Sequence, residues 1–352
     1  MLRVLKIDTD EDEWNNIVMS FDNYDVYYLY GYVKAFHQHG DGEPLLFYYD
    51  DNNTRAINVV MKRDISKDKI FYEKIKKDEY FDFSTPYGYG GFLIEGDKSD
   101  EAVSKLDKTY VDYCMNNHVV SEFTRFHPVI NNVQLCKNMY VCVDLSKTIT
   151  IPLSSEKKVW EIITGKNRNV IRKSIKSGVE VFWGRASELI DSFIPMYNET
   201  MDRDNALDYY YFDEKFYESL LNDLKYNHLI FYAKHDGKVI SMAVIIFANR
   251  QMHYHLSASN REYQHLSATN LLLYEAACWG RANNFNTLHL GGGLGSSEDN
   301  LFKFKKSFNK NSSTYFSIGK KIFDEKKYDE LIKIRRNEKI VNDNFFPYYR
   351  AK

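Results

Sequence analysis

Apolar and polar positions follow two periods along this chain, and the change from one to the other marks most of its elements. LLFYYD (45–50) and AINVVMKRD (56–64) flank the polar turn DNNT and read as an antiparallel strand pair. DFSTPYGYGGFLI (82–94), broken by Pro86 and three glycines, reads as a shaped loop entering a short strand. EAVSKLDKTYVDYCMNNH (101–118) has helical spacing, VVSEFTRFHP (119–128) reads as a strand ending at Pro128, and YVCVDLS (140–146) as another strand.

The second half is more sharply patterned. A helix is expected from Ser155 to about Thr164, then a break at Gly165. A second helix covers 167–176, with Ile171 and Ile175 on its buried face, and a strand follows Gly178. Helices at 186–204 and 212–225 precede 229–259, where three β-rich runs separated by HDGK and NRQ turns predict an antiparallel meander. A long helix (267–285), a strand (287–292) and a short helix across LFKFKKSF follow. The remainder is charged and ends in the aromatic tail FFPYYR.

At 352 residues the chain is long enough for two domains, expected at 1–150 and 151–352. The balance of 47 Lys and Arg against 49 Asp and Glu leaves a charge of −2, which supplies no global attraction to DNA or an anionic membrane. Polyanions must then meet local patches. The four cysteines form no CxxC pair, which argues against a zinc ribbon or disulfide framework and fits a reducing cytosol. The N-terminus does not read as a signal peptide, and the strongest apolar run, MAVIIFA (242–248), is too short to span a bilayer. These features lead us to expect a soluble, cytoplasmic protein. The 28 Tyr and 23 Phe accompany abundant Lys, Asn and Ile and scarce Pro, and base composition explains them most simply.

Candidate chemistry concentrates in a few stretches. LHLGGGLGSSEDN fails as a P-loop, because Ser296 stands five residues after Gly291 with no Lys-Ser/Thr behind it. It also fails as a dinucleotide fingerprint for want of a third glycine. What remains at Gly291, Gly292 and Gly293 is a strand end bare enough for close approach by another group. Downstream, Lys303, Lys305, Lys306 and Lys310 alternate with Phe302, Phe304 and Phe308, with no acid from 300 to 323. A lysine there suits a phosphate or a developing oxyanion. In GKNRNVIRKSIKSG (165–178), Arg168, Arg172 and Lys176 recur every four residues on one helix face, with Lys166 and Lys173 beside them. Such a face suits a diphosphate, or is simply solvated. STPYGYGG offers Tyr87 and Tyr89 to a pocket wall, and RFHP puts Arg125 and His127 at a strand end. His253 and His255 alternate on a strand without a third ligand at metal spacing, so no metal site is expected.

Together TPYGYGG (85–91), TRFHP (124–128), NRNVIRKSIKSGVEV (167–181), HLSASNREYQHLSATNLLLYEAACWGRANNF (255–285) and LHLGGGLG…DNLFKFKKSF (288–308) resemble the FemAB-like branch of the GNAT acyltransferases. The resemblance implies an α/β (α+β) fold of tandem GNAT-like domains, with mixed, mostly antiparallel sheets flanked by helices and a groove between the domains. It implies transfer of an acyl group to an amine, either an amino acid from aminoacyl-tRNA into a peptidoglycan side branch or an acetyl group from acyl-CoA onto an amino sugar. Lys305, in the block FKKSF, would stabilise negative charge in the donor channel, and His127 is a candidate catalytic base. Tyr87, Tyr89, Arg125, Arg168, Arg172, Tyr211 and His255 would contact substrate, with Arg168 and Arg172 on an acceptor diphosphate. Gly291, Gly292, Gly293, Asn270 and Lys303 would line the donor site.

Two departures bear on the donor. No coiled-coil arm of the tRNA-dependent Fem type is visible, and the turn Arg261 to Ser267 lacks the glycines that cradle a CoA pyrophosphate. The leading expectation is an acetyl-CoA-dependent (or other acyl-CoA-dependent) N-acyltransferase acting on a nucleotide-linked amino sugar or similar cell-envelope precursor. The alternatives are an aminoacyl-tRNA-dependent transferase acting on a peptidoglycan precursor, with charged tRNA as partner, and a non-catalytic GNAT-fold protein that binds nucleotide sugars.

Overall fold

Eleven α-helices and thirteen β-strands are found among the residues that the computed structural model describes, 1–7, 10–338 and 345–351. The chain divides into two units, Met1–Leu145 with Phe316–Lys352, and Ser146–Tyr315. The expected boundary near 150 therefore falls inside a strand, and the last residues do not stay with the second half. The physical reason is a strand pairing: Ile318–Ile322 hydrogen-bonds antiparallel to Ser121–Arg125 and carries the C-terminal segment into the first unit.

The first unit comprises β1 (Leu2–Lys6), α1 (Glu11–Met19), α2 (Tyr30–His39), β2 (Glu43–Asp50), β3 (Thr54–Asp64), β4 (Phe81–Ser84), β5 (Leu93–Gly96), α3 (Asp100–Asn116), β6 (Val119–Arg125) and α4 (Val133–Cys136). Late in the chain it gains most of β13 (Thr314–Ile322) and α11 (Glu325–Glu338). Its strands lie in the order β1-β2-β3-β4-β6-β13, with β5 also on β3, and β4–β6 is the parallel pair. α1 starts where Asp10 accepts the amide of Asp12, and α3 where Ser99 accepts that of Ala102, so both helices have side-chain N-caps.

Aromatic rings fill the core: Phe47 packs edge-on against Tyr110, and so does Phe92, with centroids 5.0 Å apart in both pairs. Two buried carboxylates are embedded there. Glu122 accepts hydrogen bonds from Asn58, Thr124, Tyr110 and Tyr140. Asp82 on β4 accepts from Arg63, Tyr349 and Arg350, which fastens the C-terminal residues to the sheet.

The second unit opens with the later part of β7 (Val141–Pro152) and continues through α5 (Val159–Ile162), α6 (Gly165–Lys176), β8 (Glu180–Gly184), α7 (Ser187–Arg203), α8 (Glu214–Asp223), β9 (His228–His235), β10 (Lys238–Ala248), β11 (Gln251–Ser259), α9 (Ala268–Ala282), β12 (Thr287–Gly291) and α10 (Asn300–Lys306). The strand order is β7-β12-β11-β10-β9-β8. The meander β9-β10-β11 forms as the pattern predicts, and β11–β12 is parallel because α9 carries the chain across. Leu272, Ala276, Phe231, Ile245 and Leu288 are fully buried between α9 and the sheet. Each large side chain so buried contributes about 1.5–3 kcal/mol. α9 lies close enough that a Cβ on Gly280 would meet Met252 Sδ at 2.4 Å.

Two expectations for α5 and α6 change. The helix predicted from Ser155 shrinks to one turn at Val159–Ile162. On α6 the buried stripe is Asn167, Ile171 and Ser174, while Ile175 is 52% exposed. Helical spacing allowed either neighbour at that position, and packing on α9 selected the hydroxyl.

Candidate active site

Within the second unit, β11 and β12 pair through Gln251↔Thr287, Met252↔Leu288 and His253↔His289, and the pairing stops there. Beyond it β11 runs on to Ser259 and β12 to Gly291 without pairing, and the space between Tyr254–Ser259 and the glycine run is taken as the candidate crevice. β11 is also irregular at this point. Val244 pairs with Leu256 and Ile245 with Tyr254, so His255 is the extra residue of a β-bulge. The expected strict alternation of His253 and His255 is thereby broken. Burial, with His253 beside it, pushes the His255 imidazole down to about 3, so the ring is neutral throughout the physiological range.

Lys305 reaches this crevice from α10. Its ammonium donates to Gly292 O at 2.8 Å and stands 5.9 Å from the centroid of the Tyr254 ring. Burial pushes its pKa down to about 8, with the Asp299 carboxylate opposing that fall. An ammonium has three protons and no acceptor capacity, so after the Gly292 bond Lys305 can still donate into the crevice. Asp299 caps α10 through the amide of Phe302 and also accepts from Leu294, which ties the helix to the glycine loop.

The three glycines differ in what requires them. Gly291 takes φ +78, a conformation open to glycine at little cost. A Cβ on Gly293 would stand 2.1 Å from Ser297 O and 2.4 Å from Asp299 Oδ1, whereas one on Gly292 would meet nothing nearer than Lys147 O at 3.4 Å. Two of the three positions thus serve the loop's own fold. Gly292 gives its carbonyl to the lysine.

Two helix N-termini meet beside α10. Thr164 caps α6 by accepting from the amide of Asn167, and its own N–H and hydroxyl donate to Ser307 O just past α10. Asn167, on the first turn of α6, accepts from Asn270 Nδ2 on the first turn of α9 at 2.8 Å. The buried Nδ2 of Asn167 has no hydrogen-bond partner among the described residues. α9 begins after Ser267, at φ 53, without a side-chain cap. The residues before it, Arg261–Leu266, form a 3-10 helix where a glycine-rich turn would otherwise lie. Two positive helix ends together favour an anion, and Lys166 and Arg168 extend from the first turn of α6. Arg168 donates to Trp160 O, while Arg172 stacks 5.0 Å from the Trp160 ring and bonds Asn169. Lys303 is exposed on α10. Tyr211 donates to Asp202 at 2.7 Å, next to the end of α7.

The first unit gathers the other candidates. Tyr87 stacks on Phe36, and Tyr89 meets Tyr27 and His127 with ring centroids 5.4 and 5.7 Å away. Arg125 lies over Phe123 at the end of β6. His127 is fully buried; its Nδ1 accepts from the amide of Ile130, which puts the proton on Nε2, 2.8 Å from Asp25 Oδ2. Gly88, at φ +95, has the Tyr27 ring 2.5 Å from where a Cβ would stand, so the STPYGYGG turn holds its tyrosines at this cluster.

Sequence reasoning singled out Lys305, His255, Gly292 and Asn270 but missed Tyr254, Asn167, Asp299 and Asp25. Asp299 carried a legible signal as an acid three residues before an apolar helix position. Tyr254 carried none, because only the bulge turns it toward the lysine.

A parallel strand pair that ends after three residues, a bulge on one strand, a helix starting beside them and a cation between them are features of a GNAT fold, and the comparisons support an acyltransferase of that fold. Residues 165–305 match the acetyltransferase (GNAT) domain family. No curated protein matches the sequence. Among solved structures, FemX shares the fold at 16% identity, TM-score 0.67, covering 93% of this chain and 99% of its own. L-PGS from Bacillus licheniformis follows at 12% identity and TM-score 0.55, covering 89% and 92%. The C-terminal domain of a putative lysylphosphatidylglycerol synthetase from Agrobacterium fabrum has 11% identity and TM-score 0.53, covering 88% and 90%. These findings support the FemAB-like branch that the sequence resembles. Among the described residues no helix is long and apolar enough to cross a membrane.

Proposed function

We propose that the protein transfers an acyl group from a phosphate-bearing carrier to the amine of a nucleotide-linked amino sugar or related cell-envelope precursor by direct attack. The observation that carries this reading is Lys305, a half-buried ammonium with donors to spare beside a strand crevice. In such a transfer the neutral amine attacks the acyl carbon, the C–N bond forms, and negative charge develops on the carbonyl oxygen. The bond to the carrier then breaks, and the carrier leaves with a proton derived from the amine. Lys305 stabilises the developing charge where water is scarce. His255, neutral beside the lysine's partner Tyr254, can accept a hydrogen bond without adding a second positive charge.

The uncapped first turn of α9, with Lys166 and Arg168, supports a place for the carrier's phosphates. This moves Arg168 from the acceptor to the donor side of the expectation, and leaves Arg172 largely spent on Trp160. Tyr87, Tyr89 and Arg125, which belong to the first unit, are retained as the proposed acceptor contacts. His127, with both ring nitrogens engaged, suits positioning of that cluster better than proton transfer.

The match to an acetyltransferase domain favours an acyl-CoA donor. One observation favours aminoacyl-tRNA as the second reading: residues 261–266 form a 3-10 helix and not a glycine cradle. The test is a transfer assay on an amino-sugar nucleotide and on a peptidoglycan precursor, each offered acyl-CoA or charged tRNA. Product from either donor that disappears in Lys305→Met supports the reading; product undiminished in Lys305→Met overturns it.

A further inference from the structure

At the opposite end of β11 and β12 from the crevice, the second unit carries a pocket of about 320 Å³. Arg250, Arg281, Asn284, Phe285 and Asn286 line it, with the backbone at Leu153 and Ser154. That size falls at the lower end of small-molecule sites. Arg281 is fixed in place, since its Nη1 donates to the carbonyls of Leu153, Ser155 and Lys157 at 2.9, 2.7 and 3.2 Å. Carbonyls orient a guanidinium without neutralising it. Among the described residues neither Arg281 nor Arg250 has a carboxylate partner.

Arg250 stands at φ +62 in the turn between β10 and β11, where glycine or asparagine is favoured, and its carbonyl accepts from Asn286. That bond joins the turn to the entry of β12 and brings the two arginines to one mouth. The nearby C-terminus of α9 contributes about half a negative charge, against two full positive ones. Among the described residues the neighbouring Gln251 and Thr287, next along each strand, each keep a buried side-chain oxygen without a hydrogen-bond partner, though neither lines the pocket.

We propose that this pocket binds a phosphate ester, its phosphate held between Arg250 and Arg281 and its hydroxylated remainder read by the amides of Asn284 and Asn286. Paired guanidiniums match phosphate oxygens in bidentate fashion. The site stands apart from the acyl-transfer crevice and does not depend on the reaction proposed there.

The test is arginine footprinting on the full chain with phenylglyoxal, read by peptide mass spectrometry. The probes are inorganic phosphate, sn-glycerol 3-phosphate, and vesicles of phosphatidylglycerol or phosphatidylcholine. A phosphate ester is expected to slow modification of Arg250 and Arg281 about tenfold while other arginines react as before, and Arg250→Gln is expected to weaken its binding by about tenfold or more. Protection by glycerol 3-phosphate identifies a free ester. Protection by phosphatidylglycerol vesicles alone identifies a lipid headgroup. Arg281 is left intact because it anchors three carbonyls. Unchanged modification of Arg250 under millimolar phosphate esters and vesicles, or equal affinity in a folded Arg250→Gln variant, overturns the proposal.

Discussion

Lys305 should set the alkaline limit of activity. Burial holds its pKa at about 8, so the ammonium is about nine-tenths populated at pH 7 and about one-tenth at pH 9. If the charged form stabilises the oxyanion, the rate of the acyl-transfer step should fall about tenfold across that interval, with a midpoint near 8. The acceptor amine must lose its proton, so rising pH helps the nucleophile while it discharges the lysine, and the full profile should be bell-shaped. Lys305→Arg keeps a cation that does not titrate below pH 12, so its alkaline limb should move beyond the accessible range even if its absolute rate is low. Lys305→Met removes the donor and should lower kcat by about 10²–10³. The assay is single-turnover product formation from pH 6 to 10 in wild type and both variants. An alkaline limb near pH 8 that persists in Lys305→Arg would refute the assignment, as would a Met variant within twofold of wild type.

Other expectations concern the glycine loop beside this group and the two buried carboxylates of the first unit. Gly293→Ala should cost about 2 kcal/mol, because its Cβ would collide with Ser297 O and the Asp299 cap, while Gly292→Ala should stay within about 0.5 kcal/mol; urea melts of the two separate them. Asp82→Asn should destabilise the protein by about 3–5 kcal/mol, since Arg63 and Arg350 lose a buried counter-ion. Burial raises the Asp82 pKa, but Arg350 and then Arg63 outweigh that and hold it below the usual range. Its stabilisation is therefore complete above the unfolded pKa near 4 and is lost as pH falls through the depressed value, so Asp82→Asn should flatten the acid limb of a stability profile. Glu122 works in the opposite sense: burial raises its pKa, so its contribution weakens as pH climbs from about 4 through the raised value. A Glu122→Gln variant should show a smaller stability change over that window in thermal melts.

The second unit was the more legible half because its elements are regular and its packing is local to each. The meander, α9 and α10 follow from period and turn chemistry, and the Gly178 stop after α6 is where the sequence puts it. The first unit's α1 and α2 escaped because their stripes are short, and in α2 Tyr30 and Tyr32 blur the period with their polar tips; Tyr32 is nonetheless fully buried. β13 escaped for a topological reason. Nothing within 314–322 announces that its partner lies near residue 121.

The site shows the same division. Lys305 was visible as a cation among spaced aromatics, and Asn270 as part of a helix start. The bulge at His255 and the meeting of Asn167 with Asn270 depend on register and on helix packing, which no local pattern encodes. The glycine run was visible but its reasons were not, since the group that excludes a Cβ at Gly293 is the cap of the following helix.

The central claim is that acyl transfer occurs in the crevice where β11 leaves β12. Hydrogen–deuterium exchange with a turning-over donor, acyl-CoA or charged tRNA, tests it most directly. Donor binding should slow exchange at 254–259, at 290–293 and in the first turn of α9, and that protection should weaken in Lys305→Met. Product formation with no protection in those three segments would contradict the account.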